Sequence, residues 1–302
     1  MNPQTTKRLI AVAVFVLLLF VGDRGLSALL SRAEIASGFR YSRMYRGGND
    51  FDVLILGNSR SIHSMHAPTI SEKTGKRAFH LGFNGLPMVM SGVWLADYLE
   101  HNDPPETVLL EVSSLGTESV DAVRKFSFYQ ASSSLLAPLL KESSAEDYWA
   151  TRVSHLYRHN GDAVVRCLYF LGRSDQARAF PSSQVGSEAM LRSPLGADYS
   201  GFVIREGDNL PALKRVVQLC RENGIELRLM LAPLSPQAID TPEVRDAFLE
   251  RVADETGQPV LDFSEAVTDL SAFRDRVHMN KKGLELFADV LISRGILPAS
   301  GS

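Results

Sequence analysis

Ser59, His278 and Asp275 have the types and settings needed for nucleophilic acyl chemistry. A serine hydroxyl attacks a carbonyl only when a base takes its proton. The base works best when a carboxylate fixes its tautomer and stabilises the imidazolium. Asp275-Arg276-Val277-His278 is spaced so that one turn presents both groups, one ring nitrogen bonded to Asp275 and the other free for a hydroxyl. Ser59 follows Val53-Leu54-Ile55-Leu56-Gly57-Asn58, an apolar run that stops at a glycine. Such a run reads as a buried parallel strand feeding a functional loop, which puts Ser59 at the carboxyl edge where ligands collect in open α/β sheets. The competing role for Ser59 is a plain N-cap of the helix that follows. That helix's amino end would also suit an oxyanion.

The elements that must position these residues alternate. Strands are expected at Asp52–Leu56, Arg77–Leu81, Thr107–Val112, Ile225–Leu231 and Pro259–Asp262. Helices are expected from Ser59 to about Lys73 and over Met88–Glu100, Leu210–Asn223, Pro242–Thr256 and Lys282–Arg294. Gly224 and Gly257 are stop signals after two of them. This is the grammar of a doubly wound α/β sheet with about five parallel strands. Residues 117–209 break the alternation, with helical patterns near Ser132–Leu140 and Asp147–Leu171 and a weakly structured stretch over Arg173–Gly201. A structureless loop of that length does not belong in a compact domain. The segment is expected to be a mostly helical insertion, either overhanging the carboxyl edge as a cap or docking a partner.

Behind Lys7 and Arg8, Leu9–Val21 is an apolar run of about 13 residues, ended by Asp23 and Arg24. No prompt small-x-small cleavage site follows it. Residues 1–30 therefore read as a signal anchor or signal peptide, the anchor favoured, with the flanking positive charges in the cytoplasm and the rest outside. Residues 31–50, with Arg40, Arg43 and Arg46, read as a solvated juxtamembrane stem, and residues 51–302 as the main domain. A net charge of -3 without a basic stripe gives nucleic-acid binding little support. Cys167 and Cys220 have no metal or redox spacing, and Cys220 reads as a buried thiol. His63 and His66 stand three apart on the expected helix after Ser59, yet lack a third ligand, so neither a metal nor any other cofactor is expected. No Gly-x-Ser-x-Gly elbow, His-Glu-x-x-His, phosphate loop or dinucleotide fingerprint is present, which leaves acyl chemistry.

Gly57-Asn58-Ser59 near one end and Asp275-Arg276-Val277-His278 near the other resemble the serine and Asp-x-x-His blocks of the SGNH/GDSL hydrolase superfamily. Leu81-Gly82-Phe83-Asn84-Gly85 resembles the block that supplies an oxyanion-binding glycine, with Gly85 the match. The likeness covers roughly residues 50–116 and 222–295. The third block departs: Leu110-Glu111-Val112-Ser113-Ser114-Leu115-Gly116 stands where the family has Gly-x-Asn-Asp, so the usual oxyanion asparagine is missing. The resemblance implies a three-layer, flavodoxin-like fold and a Ser59-His278-Asp275 triad. The oxyanion donors would be the N–H groups of Ser59 and Gly85, with Asn84, or else Ser113 or Ser114, as a side-chain donor. Asn58 replaces the family's aspartate and Arg60 its leucine. Arg60 would either hold an anionic part of the substrate or pair with Glu111 inside the fold.

Gly-Asn-Ser-Arg behind a membrane-proximal N-terminus is similar to envelope-associated members, including those resembling the D-alanyl-lipoteichoic-acid transfer protein. The implied function is a serine esterase or O-acyltransferase acting on acyl esters, O-acetyl above all, of an envelope or extracellular glycan. It would be a single-pass protein of a bacterial cytoplasmic membrane, facing the periplasm or exterior and partnered by envelope acyl-transfer machinery. The alternatives are a non-catalytic binding or assembly protein for envelope polymer modification, and a lysophospholipase or thioesterase.

Overall fold

The computed structural model describes residues 3–118, 120–175 and 182–299 of the 302. They form two compact units, Met1–Arg43 with Val123–Arg173, and Met44–Ala122 with Ser174–Ser302.

The larger unit holds a five-stranded parallel sheet: β1 Val53–Leu56, β2 Ala78–His80, β3 Thr107–Glu111, β4 Glu226–Leu231 and β5 Val260–Asp262, in the order β2-β1-β3-β4-β5. All four residues of β1 are buried, as a central strand covered on both faces requires. Val53 and Ile55 share a core with Ile70 of the Ala67–Thr74 helix and Phe287 and Leu291 of the Lys281–Ser293 helix. Burying one such aliphatic side chain contributes about 1.5–3 kcal/mol. The Met88–His101 and Asn209–Glu222 helices pack on each other, and Pro242–Thr256 packs beside the latter. This is the doubly wound architecture that the alternation of patterns leads one to expect. The chain runs from β1 outward to β2, then returns to β3 on β1's other side. The crevice at that switch point lies beyond the carboxyl ends of β1 and β3.

Three local expectations fail. The helix after Ser59 is a single turn, Ser59–Ile62, and a new helix starts at Ala67 with Pro68 in its first turn. Proline lacks the N–H that a continuous helix would need there, so it starts a helix. The oxyanion-favouring dipole expected of a long helix behind Ser59 shrinks accordingly. Residues 31–50 are not a solvated stem: Phe39, Tyr41, Ser42 and Met44 are fully buried and Arg40 nearly so. The 117–209 segment is not one insertion either, because Val123–Arg173 belongs to the smaller unit and Ser174 onward to the sheet unit. Residues 119 and 176–181 of that segment lie outside the described residues.

In the smaller unit one helix, Pro3–Ala36, runs 34 residues without a break through Asp23 and Arg24. It is long and apolar enough to cross a membrane, and Leu9, Ile10 and Phe15 to Val21 are exposed along it. Its carboxyl-terminal half packs on the Asp162–Tyr169 helix and the Leu156–His159 turn and is hydrogen-bonded to the end of the Ala145–Val153 helix. Asp23 accepts hydrogen bonds from the Ser154 hydroxyl at 2.5 Å and the His155 and Leu156 N–H groups at 2.8 and 3.2 Å. Phe39 stacks on Phe170 and Tyr41 meets Phe126 edge-on, which accounts for the burial of the stretch read as a stem. Cys167 and Cys220 are both buried free thiols, and burial pushes the Cys220 thiol up to about 12.

Candidate active site

β1 ends at Leu56, and Gly57 then adopts a φ of +131°, a conformation that side-chain-bearing residues rarely reach. A Cβ there would also stand 2.9 Å from the Glu111 Cβ and 3.1 Å from the Ser61 Cβ. Both backbone and space therefore demand glycine before the serine. Asn58 caps the single turn that follows: its side-chain oxygen accepts from the Arg60 N–H at 2.9 Å, and its amide donates to the Ser113 hydroxyl at 3.3 Å. Ser59 is thus delivered on a turn fixed from both sides.

The opposite wall is the tight turn Asp275–His278. Phe273 and Met279 pair as an antiparallel bridge, and the Asp275 carboxylate accepts from the Val277 and His278 N–H groups at 3.0 and 2.9 Å. The same carboxylate meets His278 Nδ1 at 3.0 and 3.1 Å, and His278 Nε2 lies 2.8 Å from Ser59 Oγ. With a carboxylate on Nδ1, that nitrogen carries the proton and Nε2 is free to accept one from the serine. Partial burial works to raise Asp275, but the His278 hydrogen bond, its charge and the two N–H donors outweigh it and hold the carboxyl at about 2. It is therefore an anion throughout the neutral range.

The stretch read as weakly structured braces this turn. Gly186 N–H donates to the Phe273 carbonyl at 3.0 Å, Lys281 N–H to the Ser182 carbonyl at 3.2 Å, and the Asn280 amide to the Gln184 carbonyl at 3.3 Å. Asn280 also caps the final helix through the Gly283 N–H. A Cβ on Gly283 would stand 2.4 Å from the Ala272 carbonyl oxygen, which explains a glycine in the first turn of that helix.

The oxyanion candidates divide. Hydrogen bonds of the β1–β2 ladder continue past the strands, from Leu81 N–H to the Ile55 carbonyl at 2.8 Å and from Phe83 N–H to the Gly57 carbonyl at 3.3 Å. The next residues, Asn84 and Gly85, form an exposed turn closed by Leu86 N–H on the Phe83 carbonyl, with Gly85 at φ +67°. Asn84 and Gly85 therefore stand one and two residues beyond a backbone bond to the loop that carries Ser59. Gly82 makes that approach possible, since a Cβ there would lie 2.4 Å from Ser61 Oγ and 2.8 Å from the Gly57 carbonyl oxygen.

Ser113 and Ser114 face the other way. Both are buried, Ser113 Oγ donates to Glu111 Oε2 at 2.5 Å, and Ser114 Oγ donates to the Glu111 carbonyl at 3.0 Å. Their hydroxyl protons are committed inside the fold, which corrects the expectation that either donates to an oxyanion. Arg60 is also buried. Its Nε lies 3.7 Å from Glu111 Oε1, and Nη2 donates to the Ala232 carbonyl. Glu111 accepts in addition from Ser113 N–H at 3.1 Å and Ala232 N–H at 3.4 Å. The departing third block is thus filled by a carboxylate that neutralises Arg60, so Arg60 is not a substrate-binding cation. Tyr199 adds a phenol to this cluster, pushed up by burial against the pull of the neighbouring Arg60.

His63 is the neighbour of the site that spacing did not reveal. It lies edge-on to the His278 ring with centroids 4.8 Å apart, and its buried Nδ1 makes no hydrogen bond. Burial first, then the proximity of His278 and Arg274, lowers its imidazole to about 4, so it is neutral beside His278. The available signal was its position four residues after Ser59, one helical turn onward on the same face. His66 instead caps the Ala67–Thr74 helix, its Nδ1 2.9 Å from Thr69 Oγ1.

No family model and no curated protein matches this chain. Among solved structures, a Bacteroides fragilis protein described as a "putative acylhydrolase" is similar in fold at a TM-score of 0.41 and 13% identity, over 85% of this chain and 94% of that one.

Proposed function

We propose that the sheet unit is a serine-type acyl esterase or O-acyltransferase. The carrying observation is the unbroken relay from Ser59 Oγ through both nitrogens of His278 to the Asp275 carboxylate at a sheet switch point. Ser59 Oγ attacks the ester carbonyl while His278 Nε2 takes its proton. The tetrahedral oxyanion is met by the N–H groups of Ser59 and Gly85, with the Asn84 amide on the same turn. Collapse expels the alcohol, which receives the proton from His278 and leaves an acyl group on Ser59. Water or a second hydroxyl, deprotonated by the same histidine, then releases it. Asp275 stays ionised and orients the imidazolium.

A retained anchor supports a location outside the cytoplasm. Asp23, Ser27 and Glu34 are built into the fold with residues 154–159, which supports a retained anchor over a cleaved signal peptide. Lys7 and Arg8 before the apolar run favour a cytoplasmic N-terminus. His278 and Asp275 remain 22% and 32% exposed, which suits an acylated polymer reaching the site from solvent, and an envelope or extracellular glycan ester is the substrate class proposed.

One observation favours a second reading. The inward-turned Glu111, Ser113 and Ser114 leave the third block without its oxyanion donor, as a carrier-binding protein that no longer catalyses would. A fluorophosphonate probe on the purified chain decides between the two. Labelling of Ser59 that vanishes in His278→Ala is expected of the enzyme; an unlabelled wild-type chain, together with equal turnover of a short acyl ester by wild type and Ser59→Ala, sinks it.

A further inference from the structure

We propose that the exposed face of the Ala145–Val153 helix, built on Trp149, Arg152 and Val153, is a second membrane contact that lies in the headgroup layer beside the anchor. The inference rests on the reading of the N-terminal helix as a retained anchor.

Three observations fix the level of this face. Arg24 Nη1 and Nη2 donate to the carbonyls of Val153 and Arg152 at 2.9 and 3.3 Å, and Asp23 binds the next three residues, Ser154 to Leu156. The carboxyl end of the helix is therefore stapled to the anchor two or three residues past Val21, where the apolar run ends. At about 1.5 Å per residue that is roughly 3–5 Å along the axis. The interfacial layer on each side of a bilayer is about 5–8 Å deep, so the staple lies within it.

The anchor's length draws the staple in further. Leu9–Val21 spans only about 20 Å of helix against a hydrocarbon core of roughly 30 Å. Such a mismatch is met by thinning the bilayer and by pulling flanking residues into the interface. The residues so placed are suited to it. Asp23 is neutralised by Arg24 at 2.7 Å and by its three donors, and Arg24 lies over the Phe20 ring at 4.0 Å. Leu26 and Leu29, on the next turns, are exposed.

The chemistry of the face matches. Trp149 and Val153, one turn apart, are 60% and 75% exposed, with Arg152 between them and over the Tyr148 ring at 5.1 Å. Lys141 approaches the same ring at 5.7 Å. Tryptophan and tyrosine accompanied by cations are the residues that headgroup layers select. In water, by contrast, a tryptophan and a valine held in one exposed ridge would have nothing to cover them.

The test uses the full chain in phosphatidylcholine–phosphatidylglycerol vesicles carrying a nitroxide either near the headgroup or at the acyl-chain end. The chain has two tryptophans, so the difference between wild type and Trp149→Phe isolates the emission of the exposed one. The headgroup-level nitroxide is expected to quench that share by at least about twofold, the deep one much less, as for an interfacial side chain. Val153→Asp is expected to reduce the quenching while the protein still floats with the vesicles after an alkaline wash. Emission from Trp149 untouched by either nitroxide in chain that floats overturns the proposal and leaves the face to water or a protein partner. Failure of the wild-type chain to float overturns the anchor reading and the second contact with it.

Discussion

Among the described residues, two serine–histidine–carboxylate relays have nearly the same dimensions. In the sheet unit Ser59 Oγ, His278 and Asp275 are joined at 2.8 and 3.0 Å. In the smaller unit Ser27 Oγ lies 2.8 Å from His159 Nε2, and His159 Nδ1 lies 2.7 Å from Glu34 Oε1. Connectivity does not separate them; surroundings do. His278 and Asp275 are 22% and 32% exposed, whereas His159 and Glu34 are 4% and 1%. Ser59 opens a one-turn helix at a sheet edge beside a turn with an exposed glycine. Ser27 is buried in the middle of a 34-residue helix and its hydroxyl also reaches the His155 carbonyl at 3.3 Å. One relay is open to solvent at a sheet switch point, while the other closes a polar gap between packed helices. A hydrogen-bonded triad becomes a catalyst only where a substrate can enter and an oxyanion can be met.

The sharpest way to break this contrast is to remove each base in turn. His278→Ala is expected to lower kcat/KM on a short acyl ester by about 10⁴-fold or more, as loss of a triad member does, with little change in melting. Comparable loss in His159→Ala, at full occupancy of the folded state, would erase the distinction. The reverse holds for stability. Glu34→Ala leaves His159 Nδ1 without its buried partner and should cost about 1–3 kcal/mol, read by denaturant unfolding in detergent, while kcat of the folded fraction is unchanged.

Next in size is Gly57→Ala, which meets both a φ of +131° and a 2.9 Å approach to Glu111. A cost of about 1–3 kcal/mol together with a misplaced Ser59 is expected, seen as joint loss of stability and of fluorophosphonate labelling. An alanine variant that labels at the wild-type rate would show that the loop tolerates a side chain.

His63 gives an effect that depends on pH. Its folded-state value of about 4 lies below the ordinary 6.5, so the unfolded chain takes up a proton first as pH falls. Stability is full above about pH 6.5 and declines toward pH 4 by about 1–3 kcal/mol. His63→Phe, which keeps the edge-on contact, should flatten that part of the pH–stability curve; an unchanged slope would place the titrating group elsewhere. Smallest of all is Ser27→Ala, expected to cost about 1 kcal/mol and no activity.

The sheet was legible because parallel strands covered on both faces must be apolar throughout, and Val53–Leu56 is. The Asp275–His278 pairing was legible because three residues of spacing suffice for an Asx-type turn. What failed to read out depended on partners distant in sequence. Glu111 turns inward to meet Arg60 and the Ala232 N–H, groups 51 and 121 positions away, which no local pattern announces. The buried stretch at 31–50 carried a signal in the close spacing of Phe39, Tyr41, Met44 and Tyr45, outweighed by its arginines. Pro68 likewise marked the helix restart that the apolar periodicity hid.

The clasp between Glu34 and His159 joins positions 125 residues apart, and that separation sets a waiting time during synthesis. At about 5–20 residues per second the helix is complete roughly 6–25 seconds before its partner emerges. Over that interval the Pro3–Ala36 helix is already synthesised, yet Asp23, Ser27 and Glu34 on its carboxyl-terminal half have no protein to meet. Biogenesis of this chain therefore passes through a stage in which its first helix is complete and only half satisfied.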